Sequence, residues 1–406
     1  MILSIAWRNV WRSKTRSMVI LIAIALGIFT GVFNYAFYNG MALQRINSAI
    51  STEASHIQLH RKGYLEEPDE KEFVPDAVAL ANNIASREVV KAASARFIVQ
   101  GMIQSPTTSR GVKVLGIDPE TESEVTNIHA KIIDGAYLEG IKRNPVVIGE
   151  KLADKLKLKV RSKVVITFAD AQGYLSGASF RVAGIYRTSN NIYDNTNVFV
   201  RAEDLSGLYG ASPNDGHEIA VLLGQSDEVQ PVLSSLKKEY AQLDVKDWRE
   251  LMPEVSMLES SLDISMYIFM IIILLALTFG IINTMLMAVL ERTKELGMLM
   301  AIGMNKSRVF TMIMFETVLL SIIGGLVGIG VGILVTLLFA NSGIDISIVA
   351  EGFGAMGYDS IVYPVLRIKN VIDVVAMVFV TGMLAAIYPA LKALKLKPAE
   401  AIRIDM

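Results

Sequence analysis

Four long apolar stretches stand out from the alternating polar and apolar positions along the chain. They lie at 18–38, 264–290, 309–340 and 371–391. A helix needs about 20 apolar residues to cross the ~30 Å hydrocarbon core of a bilayer, and each stretch meets that length. The first stretch also resembles a secretory signal sequence, but no clear small-x-small cleavage site follows it, so a retained anchor is preferred. The pattern therefore predicts four transmembrane helices.

Basic residues flank these stretches unevenly, and they predict the orientation. Lys and Arg cluster before the first stretch, between the second and third, and after the fourth, where Lys397 and Arg403 lie. Such clusters stay on the cytoplasmic side, so both termini are expected in the cytoplasm. The predicted segments are an interfacial helix at 1–17, transmembrane helices at 18–40, 263–290, 309–340 and 371–391, an external domain with its stalk at 41–262, a cytoplasmic turn at 291–308, an external loop at 341–370 and a cytoplasmic tail at 392–406.

The long segment after the first span has a different pattern. Short β-rich runs bounded by Gly, Pro, Asn and Asp recur at 56–60, 96–104, 111–117, 163–168, 180–186, 197–200 and 218–223, and helical patterns lie at 76–93, 150–158 and 230–240. At about 220 residues the segment is long enough to bury its own core. The expected fold is a four-helix transmembrane bundle with a large α+β domain, built of two subdomains, inserted after the first helix.

Composition supports a membrane protein and narrows its chemistry. Hydrophobic residues make up 52% of the 406 residues, and the net charge of -1 argues against nucleic-acid binding. Without cysteine the chain has no disulfide, thiolate zinc site or catalytic thiol.

No motif indicates catalysis on this chain. It contains no G-x-S-x-G, H-E-x-x-H or paired-carboxylate motif, and it lacks the G-x-x-x-x-G-K-[ST] loop that binds nucleotide phosphates. His56 and His60 are spaced as a metal-ligand pair on a strand, but a third ligand is missing nearby, so a solvated strand face is preferred. We expect no catalytic, cofactor or metal site on this chain.

The turn between the second and third spans reads "ERTKELGMLMAIGMNKSRV", residues 291–309. A charged turn is followed by apolar residues at helical spacing, and Gly303 is placed to end a helix. The segment is predicted to be a short amphipathic helix. Two interpretations stay open: a connector lying on the membrane surface, and a helix that docks in a partner's groove.

Three further features concern the spans themselves. The N-terminal helix places Trp7 and Trp11 on a face separate from Arg8 and Arg12, as an interfacial helix does. The third span carries a stripe of small residues and one acidic residue inside the apolar run. The stripe is suited to close packing on another span, with dimerisation as the alternative, and the acidic residue must face protein or water. These residues are Gly324, Gly328, Gly332 and Glu316.

The residues before the second span, 254–267, are amphipathic and continue into it without a helix breaker. Pro253 marks the expected start of this helix, because proline is favoured in a first helical turn. A continuous helix rising 1.5 Å per residue would join the external domain to the span as a stalk.

Taken together, these segments resemble the membrane subunits of MacB-type ABC transporters, which include the LolC, LolE and FtsX proteins. The resemblance rests on "LSIAWRNVWRSKTRS" (3–17), on the 291–309 turn, on "AAIYPALKALKLKPAEAIR" (385–403), and on the order of one span, a large domain and three spans. It implies that 291–303 is a coupling helix seated on an ATPase, with contacts from Glu291, Arg292, Lys294, Glu295, Gly297, Met298 and Gly303. One departure is Arg161, at a turn position where the family often has Gly.

The resemblance also implies partners. ATP and Mg are expected on a separate ABC ATPase subunit, because only seventeen residues precede the first span, and a second permease, identical or paralogous, completes the transporter. The implied location is the bacterial inner membrane, and the implied cargo is a lipoprotein or another amphiphile, with a periplasmic carrier. The alternative function is FtsX-like signalling, in which the domain activates a cell-wall hydrolase without transport. A membrane-anchored enzyme is the least favoured class.

Overall fold

The computed structural model describes residues 2–12, 14–67 and 71–395. The predicted tail beyond residue 395, with Lys397 and Arg403, lies outside the described residues. The chain divides into two compact units. The helical unit comprises Met1–Ala42, Ser260–Asp345 and Ile361–Met406, and the α+β unit comprises Leu43–Glu259 and Ile346–Ser360.

The helices are named here in chain order. They are α1 (Ile2–Arg12), α2 (Lys14–Ser48), α3 (Ala77–Ala85), α4 (Pro119–Val125), α5 (Glu150–Leu156), α6 (Asn191–Thr196), α7 (Ala202–Tyr209), α8 (Val229–Glu239), α9 (Trp248–Leu251), α10 (Pro253–Glu291), α11 (Thr293–Ala301), α12 (Lys306–Ser342), α13 (Ala350–Ala355) and α14 (Ile368–Leu394).

Four of these helices are long and apolar enough to cross a membrane. The qualifying segments are Ser17–Ala54, Ile264–Glu291, Lys306–Ser342 and Ile368–Leu394. Their inward faces share one apolar cluster that includes Ile24 of α2, Ile281 of α10, Leu320 of α12 and Val378 of α14. The predicted four-helix architecture is confirmed. As expected, α10 begins at Pro253 and runs without a break into the second span.

The strands of the α+β unit are β1 (Ile57–Arg61), β2 (Val90–Gln104), β3 (Ser109–Ile117), β4 (Ile132–Gly135), β5 (Pro145–Gly149), β6 (Lys163–Ala169), β7 (Leu175–Tyr186), β8 (Asn197–Arg201), β9 (Glu218–Leu223) and β10 (Leu243–Asp247). They form one mixed sheet in the order β10-β1-β9-β2-β3-β8-β5-β7-β4, with β6 paired to β2 and β7. The short strands β11 (Ile344–Asp345) and β12 (Ile361–Val362) pair in the helical unit. The predicted α+β class is confirmed.

Each β-rich run identified in the sequence is a strand, but the helix predicted at 76–93 was wrong in its length. Helix α3 ends at Ala85, and the chain turns at Ser86 before β2 begins at Val90. The second half of that pattern is strand because Val90 and Ala93 pack into the sheet core beside Ile219. Two separate apolar clusters, around Ile219 and around Val146, lie within this one continuous sheet.

A buried charge cluster lies between these two apolar regions. The guanidinium of Arg96 donates to the carboxylate of Glu122, at 2.7 and 3.1 Å, and also to that of Glu218. Burial by itself raises the pKa of Glu218, but the charge and hydrogen bond of Arg96, together with Lys113 and His60, hold that pKa below its ordinary value. The cluster joins β2, α4 and β9, so it fixes their relative positions.

Candidate functional site: the charged turn between the second and third spans

The turn segment, residues 291–305, is formed by two helix breaks close together. Helix α10 ends at Glu291, and Arg292 leaves helical geometry with φ −100° and ψ 16°. Helix α11 then lasts nine residues, and Gly303 follows it at φ +102°, a conformation that glycine adopts readily. Asn305 caps the next helix, because its side chain accepts a hydrogen bond from the Ser307 N–H.

The two faces of α11 have opposite environments. Leu296 and Gly297 are buried, and Leu296 belongs to the apolar cluster of the helical unit. Lys294, Met298 and Ile302 follow each other at four-residue spacing on the opposite side, where Met298 is 53% and Ile302 is 79% exposed. An exposed apolar pair beside a lysine suits both a partner's groove and a lipid headgroup layer.

A chain of alternating charges ties the turn segment to two other helices. Arg12 of α1 lies 2.7 Å from a carboxylate oxygen of Glu295, and the Nε of Arg292 lies 3.4 Å from the other. The Nη1 of Arg292 lies 3.2 and 3.4 Å from the two carboxylate oxygens of Glu316 in α12. We call Arg12, Glu295, Arg292 and Glu316 the ionic chain. It connects α1, α11 and α12 within the helical unit.

Burial increases along the ionic chain toward Glu316. The side chains of Arg12 and Glu295 are 67% and 39% exposed, whereas those of Arg292 and Glu316 are 20% and 12% exposed. A carboxylate inside an apolar helix is costly unless it is paired, and the Arg292 guanidinium provides that pairing. The inner pair therefore carries most of the stabilisation, since exposed ion pairs contribute little.

Helix α1 packs on α12 through Ala6 and Val10, which are buried. Trp7 and Trp11 are about half exposed, and their rings meet edge to face with centroids 6.0 Å apart. Arg8 is exposed on the same helix. The separation of a buried apolar face from exposed Trp and Arg is the arrangement that an interfacial helix needs.

The glycine stripe of the third span packs against helix α2 of the same chain. A Cβ at Gly328 would lie 2.6 Å from the Ala25 carbonyl oxygen of α2, and one at Gly324 would lie 3.0 Å from the Leu21 carbonyl oxygen. A Cβ at Gly332 would lie 3.2 Å from the side chain of Val32, also on α2. The stripe thus lets α12 approach the backbone of α2 closely, which is the intramolecular alternative considered from the sequence.

Of the residues singled out in the sequence, the structure brings four together in the ionic chain. It places Lys294 and Met298 on the exposed face of α11, and Gly297 on its buried face. Trp7 and Arg8 lie on α1, where both are exposed. Sequence reasoning named Arg12 and Glu316 but not their connection through Arg292, because no local spacing relates residues so far apart.

One polar cluster was missed altogether, in the α+β unit. Arg45, near the end of α2, donates to a Glu53 carboxylate oxygen at 2.9 Å and to the Met356 carbonyl at 3.0 Å. Asn190 donates to the same Glu53 oxygen at 3.1 Å. The only clue to this cluster in the sequence was Arg45 itself, a single arginine in the mostly uncharged segment that follows the first apolar stretch. This cluster holds the loop 346–360 to the rest of its unit.

Two family models together cover most of the chain. A model described as MacB-like periplasmic core domain matches residues 17–239, and one described as FtsX-like permease C-terminal matches residues 267–398. The first includes the α+β unit as far as α8, and the second includes the turn segment and the last three spans.

Individual relatives agree with these models. The chain is 27% identical over 281 residues to an uncharacterized ABC transporter permease, MJ1507, of Methanocaldococcus jannaschii, covering 67% of this chain and 65% of the relative. It is 24% identical over 383 residues to the lipoprotein-releasing system transmembrane protein LolC of Neisseria meningitidis, covering 89% and 88%. The crystal structure of the periplasmic region of MacB from Actinobacillus actinomycetemcomitans is 12% identical, covering 53% of this chain and 97% of that one, with a TM-score of 0.37, too low to define the fold.

Proposed function

Because the chain belongs to the family of ABC transporter permeases with MacB-like and FtsX-like domains, we propose that it transmits the ATP-driven motion of a separate ATPase to its α+β domain, and so extracts or exports a lipoprotein or another amphiphile. In this proposal the turn segment faces the cytoplasm and the α+β domain faces the periplasm of a bacterial inner membrane. ATP and Mg bind to the partner, and a second permease, identical or paralogous, completes the assembly.

The ionic chain is the observation that supports this proposal most directly. A short helix can transmit a movement only if it is attached to the elements that must move. Helix α11 is attached at its N-terminal end twice, by Glu295 in its first turn to Arg12 and by its N-cap residue Arg292 to Glu316. Its opposite face leaves Met298 and Ile302 exposed for the ATPase. The segment has both a docking face and a connection to the span behind it.

The continuous helix α10 provides the next step. It begins at Pro253 in the α+β unit and ends at Glu291, the first residue of the turn segment. A movement of the turn segment therefore acts on a helix that leads into the α+β unit. No substrate path through the spans is needed for this mechanism.

The test uses the full chain co-expressed with the ATPase that co-purifies with it. Met298→Glu places a charge on the exposed face of α11 and is expected to lower ATPase recovery at least about tenfold, the effect of losing a central interface residue. Met102→Glu is the matched control, because Met102 is 50% exposed on β2 of the α+β unit. The control is expected to retain the ATPase and its hydrolysis rate.

Two results would contradict the proposal. Full recovery of the ATPase with both Met298→Glu and Ile302→Glu would mean that α11 lies on the membrane surface and does not dock. Recovery of the ATPase together with a cell-wall hydrolase, and with no lipoprotein or amphiphile, would favour the FtsX-like signalling alternative. Mass spectrometry of the purified complex distinguishes these cases.

A further inference from the structure

A cleft of about 480 Å³ opens within the α+β unit, next to the cluster around Arg45. This volume falls in the range of small-molecule binding sites. Its walls come from four places in the chain: the end of α2 with the π-helical segment Ala49–Ala54 that follows it, helix α6, the first turns of α10, and the loop 346–360. The lining combines a hydrogen-bonded floor with apolar walls.

The floor is built of buried polar groups held in place by one another. The side chains of Arg45 and Glu53 are only 5% and 11% exposed, and they are paired at 2.9 Å. Gly357, at φ +80°, lets the backbone of the loop 346–360 lie close to Arg45, because a Cβ at this position would lie 2.6 Å from the Arg45 Nε. Groups fixed in this way are suited to orient a ligand, since little ordering is left to be done on binding.

The apolar part of the lining includes side chains that remain exposed. Ile192 on α6 is 60% exposed and Met356 on the loop is 68% exposed, and both line the cleft together with Leu258 of α10. Exposed apolar side chains next to a cleft gain free energy when a hydrocarbon covers them, at about 25 cal/mol per Å². The apolar walls therefore suit the hydrocarbon part of an amphiphile.

The charges of the lining are unbalanced. Arg45 stands against two carboxylates, Glu53 and Glu254, so the lining carries a formal net charge of one negative unit. Arg45 is already engaged by Glu53 and by the Met356 carbonyl. Among the residues that the structure describes, Glu254 is exposed and forms no ion pair. A positively charged head group would complement this surface.

We propose that this cleft binds a cationic amphiphile, with its positive head at Glu254 and its hydrocarbon against Ile192, Leu258 and Met356. This rests on the proposed function only in taking an amphiphile as the cargo. The segments that carry Arg45, Leu258 and Met356 each continue along the chain into a different membrane-spanning helix or pair of helices. A displacement of any of these segments changes the shape of the cleft and thereby its hold on the ligand.

The test is photolabelling of the full chain in lipid nanodiscs without any ATPase. The probe is a dodecylammonium carrying a diazirine on its alkyl chain, and the control probe has the same chain with a carboxylate head. Mass spectrometry is expected to find the cationic probe on peptides that contain Ile192 and Met356. Glu254→Gln is expected to reduce this labelling about twofold to fivefold, the range for an exposed ion pair, without reducing that by the carboxylate probe.

The matched control is Glu88→Gln, because Glu88 is an exposed glutamate of the same unit that does not line the cleft. It is expected to leave labelling unchanged, whereas Met356→Ser should reduce labelling by both probes. Labelling confined to the membrane-spanning helices, or an equal effect of Glu254→Gln and Glu88→Gln, would overturn the proposal. Because the ATPase is absent, neither result bears on the coupling function, which the Met298 variants test separately.

Discussion

The inner pair of the ionic chain gives a quantitative prediction. Glu316→Gln preserves the size of the side chain but removes the charge that faces Arg292. Removing one partner of a fully buried ion pair costs about 3–5 kcal/mol. Here both side chains keep some solvent contact, and Arg292 retains Glu295 at 3.4 Å. We therefore expect the free energy of unfolding to fall by about 2 kcal/mol, in the range for hydrogen bonds to charged groups.

The measurement is reversible unfolding of the full chain in mixed micelles, with the double-mutant cycle of Glu316→Gln and Arg292→Gln. A direct interaction predicts a coupling energy of about 1–2 kcal/mol. Asp373→Asn is the control, because Asp373 is an acid in α14 with no ion pair among the described residues. Arg12→Gln at the exposed end should cost less than about 1 kcal/mol.

The reasoning would be refuted if Glu316→Gln changed the unfolding free energy no more than Asp373→Asn does. A coupling energy within about 0.3 kcal/mol of zero would also refute it, because neighbours in direct contact should not be additive. In either case Glu316 would be an uncoupled acid, and the mechanical link from the turn segment to the third span would have to lie elsewhere.

Three more predictions follow from single positions. Gly328→Ala should destabilise the helical unit by about 1–3 kcal/mol, because its Cβ meets the Ala25 carbonyl oxygen. Gly330→Ala is the control in the same unfolding assay; its Cβ meets no other atom of the described residues, and because alanine is favoured over glycine in a helix it should not lower the stability. Arg161→Gly should raise the stability of the α+β unit by about 1 kcal/mol in urea denaturation, because Arg161 has φ +72°, and a loss of stability would contradict this. Burial raises the pKa of Asp194 to about 6, against hydrogen bonds from Thr188 that lower it. The native state therefore binds a proton that the unfolded state has lost, and the free energy of unfolding should fall as pH rises from about 4 to 6. Asp194→Asn should abolish this slope in pH-dependent urea denaturation, and an unchanged slope would assign the effect to another group.

The spans and most strands could be predicted because each has a pattern that survives without tertiary information. Apolar runs of about 20 residues have few alternatives to a membrane helix, and β-rich runs between turn residues rarely form anything else. The boundaries of the elements were harder to predict. Helix α2 continues to Ser48, beyond the apolar stretch, because its later polar residues are compatible with a helix once they are packed. Strands β4, β5 and β10 were not predicted; β5 is a short, fully buried apolar run, which periodicity alone does not distinguish from part of a helix.

The candidate site was likewise predictable in its residues but not in their pairing. Arg292, Glu295 and Glu316 were each recognisable from a charge beside or inside an apolar run, and Arg12 from the amphipathic N-terminal helix. Their pairing was not, because it depends on how three helices pack in the helical unit. The Arg45 cluster was harder still to predict, since the partners of Arg45, Glu53 and Met356, lie in segments without any marked hydrophobic or charge pattern.

The ionic chain has a consequence for attempts to exchange parts between permeases. Its four charges belong to three separate stretches of sequence, and each of the two central charges contacts two others. A graft that replaced only residues 291–305 with the corresponding stretch of another permease would bring in new charges opposite the old Arg12 and Glu316. A working hybrid would have to inherit the amphipathic N-terminal helix and the start of the third span with the turn, as one transplantable part.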